Sequence, residues 1–340
     1  MSDSLEGKKI AIVLFNLGGP DNLQNVKSFL FNLFYDPSII TLPNPFRFFI
    51  AKLISSRREK TAQEIYKKVG GKSPIIEQTE SQKEALSRYL NGKLDCNFKV
   101  FICMRHWHPK SDAVVKLIKD YNPDEIIMMP LYPQFSTTTT GSSFSDFIES
   151  LKRNNVDKKV RKIGCYPVDD DFIKAHVELI LGSINKLKRK NNFRILFSAH
   201  GLPLKIIKSG DPYQWQVERS VEKITQALNI EGLDYKITYQ SRVGPVQWLK
   251  PYTDKEIEIA GKEGKDLVVV PIAFVSEHVE TLVELDIEYK ALAEKFNIDY
   301  VRVPTLAIHQ KFIESMGNLI MNVTENKRIC PKEFSKCICL

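Results

Sequence analysis

Short apolar, β-branched runs recur along this chain, each separated from the next by a longer amphipathic stretch. That alternation admits few folds: strands that alternate with helices build a parallel sheet covered by helices on both faces. Runs at 9–15, 98–103, 125–129 and 160–164 form one set. Runs at 193–197, 235–239, 267–270 and 299–303 form a second. The near-continuous apolarity of IAIVLF (10–15) and LVVVPIAF (267–274) marks strands buried on both sides. Amphipathic patterns over 112–120, 171–188, 215–228 and 280–295 predict helices between them.

The two sets follow one plan. Ile12-Val-Leu-Phe-Asn-Leu-Gly-Gly-Pro20 parallels Ile195-Leu-Phe-Ser-Ala-His-Gly-Leu-Pro203, and FICMR (101–105) and IIMMPLY (126–132) have counterparts in TYQSR (238–242) and LVVVPIA (267–273). Three matched strand ends in the same order indicate an internal duplication. The expected fold is therefore α/β, with two similar doubly wound domains, each a four-stranded parallel sheet flanked by helices. A chain of 340 residues has room for two such domains. The expected division is 1–165, with an insertion over about 16–97, then 166–325, then a flexible cysteine-containing tail over 326–340.

The insertion carries Pro37 to Ile54, rich in Phe, Ile and Leu, broken by prolines and followed by Arg57 and Arg58. It reads either as a packed core helix or as an apolar lip over a greasy ligand or a membrane surface. Lys and Arg exceed Asp and Glu by 8, but the excess is spread along the chain and no zinc-finger or aromatic RNA-binding signature accompanies it. Nucleic-acid binding is not expected. No run is long enough to span a membrane, and the first residues lack the apolar core of a secretory signal. A cytoplasmic protein is expected, with peripheral contact at the inner membrane through 39–54; six cysteines then read as thiols.

Ligands of open α/β sheets sit beyond the carboxyl ends of the strands. His200 ends one strand there, followed by Gly201 and Pro203. Another strand end leads into Glu277-His278-Val-Glu280-Thr-Leu-Val-Glu284-Leu-Asp-Ile-Glu288. On a helix Glu280, Glu284 and Glu288 share one face, and like charges at that spacing repel. The row is either a solvated acidic face or, beside His278, a metal or proton path. Carboxylate and imidazole suit a divalent ion such as iron or zinc.

With these segments in view, the chain resembles the ferrochelatases, which insert ferrous iron into protoporphyrin IX to make haem. The resemblance runs from about residue 9 to about 325. It rests on FNLGGP (15–20), KVGGKSPI (68–75), YPQFSTTTTGSS (132–143), FSAHGLP (197–203), YQSRVGPVQWLKP (239–251) and PIAFVSEHVETLVELDIEY (271–289). It implies that His200 and Glu280 are the catalytic and metal-binding pair, and that Glu284, Glu288 and His278 relay protons or metal. It further implies porphyrin contacts at Leu17, Arg58, Tyr66, Ser73, Arg105, Trp248 and Phe274. Walls at Leu17, Arg105, Trp248 and Phe274 are expected to bend the macrocycle, exposing its nitrogen lone pairs. Protoporphyrin IX and Fe²⁺ are the expected partners, with Fe²⁺ as substrate. Monomer and homodimer both remain open.

Two departures stand out. Arg105-His106 occupies a position where relatives often have Arg-Tyr. Some relatives also hold a [2Fe–2S] cluster on C-terminal cysteines plus one in the YPQ loop. Here the tail has Cys330, Cys337 and Cys339 in a different spacing, and the loop position is Thr137. Such clusters take four cysteine ligands, so none is expected. The nearest alternatives are a coproporphyrin III ferrochelatase or a sirohydrochlorin cobaltochelatase. Both substrates carry more carboxylates and call for more basic residues; the apolar lip favours protoporphyrin.

Overall fold

The structure, a computed structural model, describes residues 5–323 and 329–338. Among these, 5–132, 136–164 and 316–323 form one compact unit, and 133–135, 165–315 and 329–338 form another. In the first unit β1 (Lys9–Asn16) is followed by α1 (Val26–Phe34), α2 (Phe46–Lys67) and α3 (Ile75–Leu90) before β2 (Asn97–Met104). Then come α4 (Ser111–Tyr121), β3 (Glu125–Pro130), a π-helical turn at Thr137–Gly141, α5 (Ser142–Arg153) and β4 (Lys159–Lys162).

The second unit opens with α6 (Asp170–Ile184) and β5 (Phe193–His200), then α7 (Leu204–Lys208), α8 (Tyr213–Leu228) and β6 (Tyr235–Gln240). It continues through α9 (Thr253–Lys262), β7 (Asp266–Pro271), a π-helix at Glu280–Tyr289, α10 (Lys290–Glu294) and β8 (Tyr300–Arg302). The helix α11 (Gln310–Met321) starts in the second unit and ends in the first.

All strand pairs are parallel, and the sheet orders β2-β1-β3-β4 and β6-β5-β7-β8 are the same topology. Residues Ile10 to Leu14 and Leu267 to Val270 are wholly buried, as continuous apolar runs require. The registers agree as well. Phe15 stands opposite Pro130 and Ser198 opposite Pro271, so Leu17 holds the place in the first sheet that His200 holds in the second. Each third strand begins with a buried acid paired to a cation: Glu125 with Arg161 and Lys8, Asp266 with Arg189. After each third strand the chain forms a π-helix, short in the first unit and ten residues long in the second.

That second π-helix differs from the regular helix that the 280–295 pattern predicts. A π-helix bonds i to i+5, and runs beyond a single turn are rare without outside support. Here the support comes from neighbouring strands: Glu284 is bound at the end of β6, and Asp286 is bound by Arg302 at the end of β8. The tail also differs from the flexible segment expected. Cys330 and Cys337 are buried against Cys165, Trp215 and Phe334, so residues 329–338 pack onto the second unit. Cys339 lies outside the described residues.

The loop after β1 is packed as tightly as glycine permits. A Cβ on Gly19 would lie 2.4 Å from Ser73 Cβ, and Ser73 N donates to Pro20 O at 2.8 Å. Gly19→Ala is therefore expected to lower the unfolding free energy by about 1–3 kcal/mol. Urea denaturation measures this, and an unshifted midpoint would contradict the close approach.

Candidate active site

At the carboxyl end of β5 the His200 ring turns Nδ1 to the carbonyl of the next residue, Gly201, at 2.6 Å. A carbonyl only accepts, so Nδ1 carries the hydrogen and neutral His200 keeps its lone pair on Nε2. Nε2 lies 3.7 Å from Glu280 Oε2. The His278 ring repeats the arrangement: Nδ1 lies 3.1 Å from Ser276 O, and Nε2 lies 3.6 Å from the same Glu280 oxygen. Two imidazole lone pairs thus face one carboxylate, an arrangement satisfied when a proton or a cation lies between them. Burial pushes the Glu280 carboxyl upward, but the positive charge of His200 and His278 when protonated, with a hydrogen bond from His278, outweighs it and holds the group at about 2. Both His200 and Glu280 keep about a third of their side chains exposed, so substrate can reach them.

The fold holds this pair through several contacts. Tyr213 on α8 donates its hydroxyl to His200 O at 3.1 Å. A Cβ on Gly201 would lie 2.9 Å from Gln240 O, so the turn after His200 requires glycine. Phe274 packs its ring 4.7 Å from that of His278 and 6.5 Å from that of His200. Trp248 pairs with Pro203 across an isolated bridge, and its indole Nε1 is buried without a hydrogen-bond partner.

Glu284 does not stack freely above Glu280. Its carboxylate accepts from Gln240 Nε2 at 3.0 Å, Ser241 N at 2.9 Å, Ser241 Oγ and Tyr289 OH at 2.7 Å. It lines a cleft of about 210 Å³ with Arg242 and Asp254. Gln240 also donates to Glu280 O at 3.3 Å, and Ser198 Oγ orients the amide at 2.7 Å. Glu288 lies on the exposed side of the π-helix. Gln240, Tyr213 and Arg302 were missed as site residues by the sequence reading. The YQSR strand end was the one signal that singles out Gln240, as a polar residue closing an apolar strand.

The remaining predicted residues belong to the first unit. Ser73 packs directly against Gly19, and Leu17 O accepts from His106 N at 2.9 Å. Arg105 is engaged within its own unit, with Asp36 at 2.9 Å, Ser142 Oγ at 2.6 Å and Asp146 at 3.6 Å. His106 is buried, 3.8 Å from Asp36; burial, then the Arg105 charge, push its ring down to about 3 against the pull of Asp36, so it is neutral. Tyr66 is buried, and Arg58 lies half-exposed on α2, 5.9 Å from the Phe34 ring. The helix α2 also settles the reading of the insertion. Phe46 and Phe49 are 63 % exposed, and Ile39, Leu42, Phe48 and Leu53 are exposed beside them. This is an apolar surface, not a core helix.

Among the described residues no group of three or more His, Cys, Asp or Glu side chains is placed to hold a metal ion. His200 and Glu280 offer two donors. Both can reach one first-row ion at about 2.1 Å, the usual length for such nitrogen and oxygen ligands. Elsewhere in the second unit, Gln216 Nε2 lies 3.3 Å from Cys165 Sγ and 3.0 Å from Cys330 Sγ. Position 137 alone did not reveal Cys165 as a neighbour of the tail thiols, because the contact is made only in the fold. Cys165, Cys330 and Cys337 thus gather around Gln216, and the fourth cysteine of this part of the chain, Cys339, lies outside the described residues.

The Ferrochelatase family model matches residues 9–324. The chain is 56 % identical to a ferrochelatase of Rickettsia bellii, with 99 % of this chain and 96 % of that one covered. It is 51 % identical to a ferrochelatase of Pelagibacter ubique, with 98 % and 99 % covered. Among solved structures, SirB from Bacillus subtilis with Fe³⁺ is similar in fold, with a TM-score of 0.55 at 12 % identity, 94 % of this chain and 96 % of that one being covered.

The shared carboxylate makes a titration testable. Glu280's folded value lies below its ordinary 4.5, so its contribution to stability is present above 4.5 and lost as pH falls through about 2. His278→Gln removes one of the two charges that lower it, and the midpoint is expected to rise. Carbon-13 NMR of labelled glutamate follows the carboxyl; a midpoint unmoved by the substitution would remove His278 from the centre.

Proposed function

The chain belongs to the ferrochelatase family, and on that premise we propose that His200 and Glu280 are the residues at which iron enters the porphyrin. The protein inserts Fe²⁺ into protoporphyrin IX, forming protohaem and releasing two protons; porphyrin and iron are both substrates. The observation that carries the assignment is the single Glu280 oxygen lying within 3.7 Å of two imidazole nitrogens.

Each pyrrole N–H gives up its proton as the nitrogen's electron pair turns to the metal. A neutral imidazole is a suitable acceptor near neutral pH, and His200 presents its free lone pair on the exposed side of the centre. Glu280, ionised down to about pH 2, serves as a fixed negative charge rather than a proton store. It attracts Fe²⁺, stabilises the imidazolium that His200 becomes, and gives the proton a route to His278. Two protein ligands leave room for four pyrrole nitrogens, so iron is held and then released. Glu284, with four donors on its carboxylate, anchors the π-helix. Together with Glu288 it forms the outer leg for protons or hydrated iron. No step in this reading runs through a resident cluster.

Leu17, Tyr66, Ser73, Trp248 and Phe274 are assigned to the porphyrin by family position. Arg58 suits a propionate. Arg105, neutralised by Asp36, suits a wall rather than a propionate partner. The apolar surface of α2, with Arg47 and Lys52 among its phenylalanines, suits contact with an anionic lipid surface. Among the described residues no helix is long and apolar enough to cross a membrane.

Anaerobic insertion of Fe²⁺ into protoporphyrin IX, followed by loss of porphyrin fluorescence, tests the assignment. His200→Ala is expected to lower turnover by about 10²-fold or more while porphyrin still binds. Near-normal turnover in the variant would exclude His200. In flotation with anionic liposomes the wild type is expected to rise with the lipid, and Phe46→Ser/Phe49→Ser to remain below. Wild-type protein left wholly in the soluble fraction would refute the lipid contact.

A further inference from the structure

A ten-residue π-helix has no strong internal reason to keep its register, because the α-helical bonding pattern is always one residue away. In this chain one side chain ties the segment just before it to its seventh residue. Arg302, the last residue of β8, donates from Nη1 to Glu277 Oε1 at 2.7 Å. It also donates from Nε and Nη2 to the two oxygens of Asp286 at 2.6 and 2.7 Å. Glu277 precedes Glu280 by three residues, and Asp286 follows it by six. The guanidinium is mostly buried, 13 % exposed, and its planar fork fixes both carboxylates at once. Glu277 is held further by Thr281 Oγ1 and by Thr305 N at 3.0 Å. Tyr300, two residues earlier on β8, donates its hydroxyl to Leu285 O at 2.8 Å.

The number of residues between two clamped points sets the winding between them. Relaxing 280–289 to α-helical bonding tightens the turn and rotates each side chain relative to those anchors. Glu280 would then leave its place between His200 and His278, or Glu284 would leave Gln240 and Ser241. We propose that Arg302 is the positioning residue of the iron site: by joining Glu277 to Asp286 it holds the π-helical register that sets Glu280 against His200. This rests on the reading of His200 and Glu280 as the iron-receiving pair. Arg302 touches neither substrate nor the reacting atoms.

The test compares wild type with Asp286→Asn, Arg302→Lys and Arg302→Gln. Hydrogen exchange of the 280–289 amides is measured without substrates, and steady-state kinetics are measured against Fe²⁺ and against protoporphyrin separately. Asp286→Asn leaves the buried Arg302–Glu277 pair in place and carries the test if Arg302→Gln does not fold. Exchange is expected to quicken over 280–289 with the β5 and β7 amides unchanged. The KM for iron is expected to rise, or kcat to fall, by roughly ten-fold, the usual loss when a residue behind a metal ligand is removed, with the porphyrin KM unchanged. Arg302→Lys, with charge but no fork, should be intermediate. Unchanged exchange overturns the clamp whatever the role of His200. Faster exchange with unchanged iron kinetics, or with iron and porphyrin KM rising together, overturns the positioning role. Normal turnover in His200→Ala would instead strike the site reading and leave the exchange result standing.

Discussion

One carboxylate oxygen shared by two imidazoles is the contact on which the rest of the second unit converges. Both rings are fixed by Nδ1 contacts to backbone carbonyls close by, so each must present Nε2 to Glu280. Around this contact sit the glycine after His200, the Tyr213 hydroxyl on the His200 carbonyl and the Phe274 ring packed against His278. The need to hold Glu280 against both rings explains why a chain would maintain ten residues of π-helix. A centre with lone pairs facing a negative charge is stable only while something positive is near, which is the property an iron-receiving site needs.

The duplicated scaffold shows how one architecture carries different chemistry at equivalent places. Strand order, register, the buried acid opening the third strand and the π-helix after it recur in both units. The chemistry beyond the strand ends does not. Where the second unit has His200 the first has Leu17, and where the second carries a partly exposed Glu280 between His200 and His278 the first holds Arg105 on Asp36 beside a buried, neutral His106. Under the proposed assignment the iron chemistry lies in the second unit, and the exposed apolar surface of α2 lies in the first.

Much of this fold was legible in the sequence. All eight strands fall where the apolar runs predict them, and the central β1, β3 and β7, buried on both faces, leave an unbroken hydrophobic record. His200 and Glu280 were marked by their places at strand ends and by long motifs shared with a known family. The π-helix was not legible, since Glu280, Glu284 and Glu288 share a face at helical spacing and the difference lies in bonds to β6 and β8. Gln240 and Arg302 act through contacts made across the sheet, and Cys165 meets the tail thiols only after folding. The state of Arg105 depends on Asp36 and Ser142, far from it in the chain. Pattern records burial and period; it does not record which distant partner a polar side chain finds.

The central claim is that iron is bound by His200 and Glu280 together. X-ray absorption of Fe²⁺ bound anaerobically to the porphyrin-free protein reads the ligands directly. The account predicts an inner shell containing one imidazole nitrogen, lost in His200→Ala, and an oxygen contribution that weakens in Glu280→Gln. An all-oxygen shell that is the same in wild type and in both variants would contradict it.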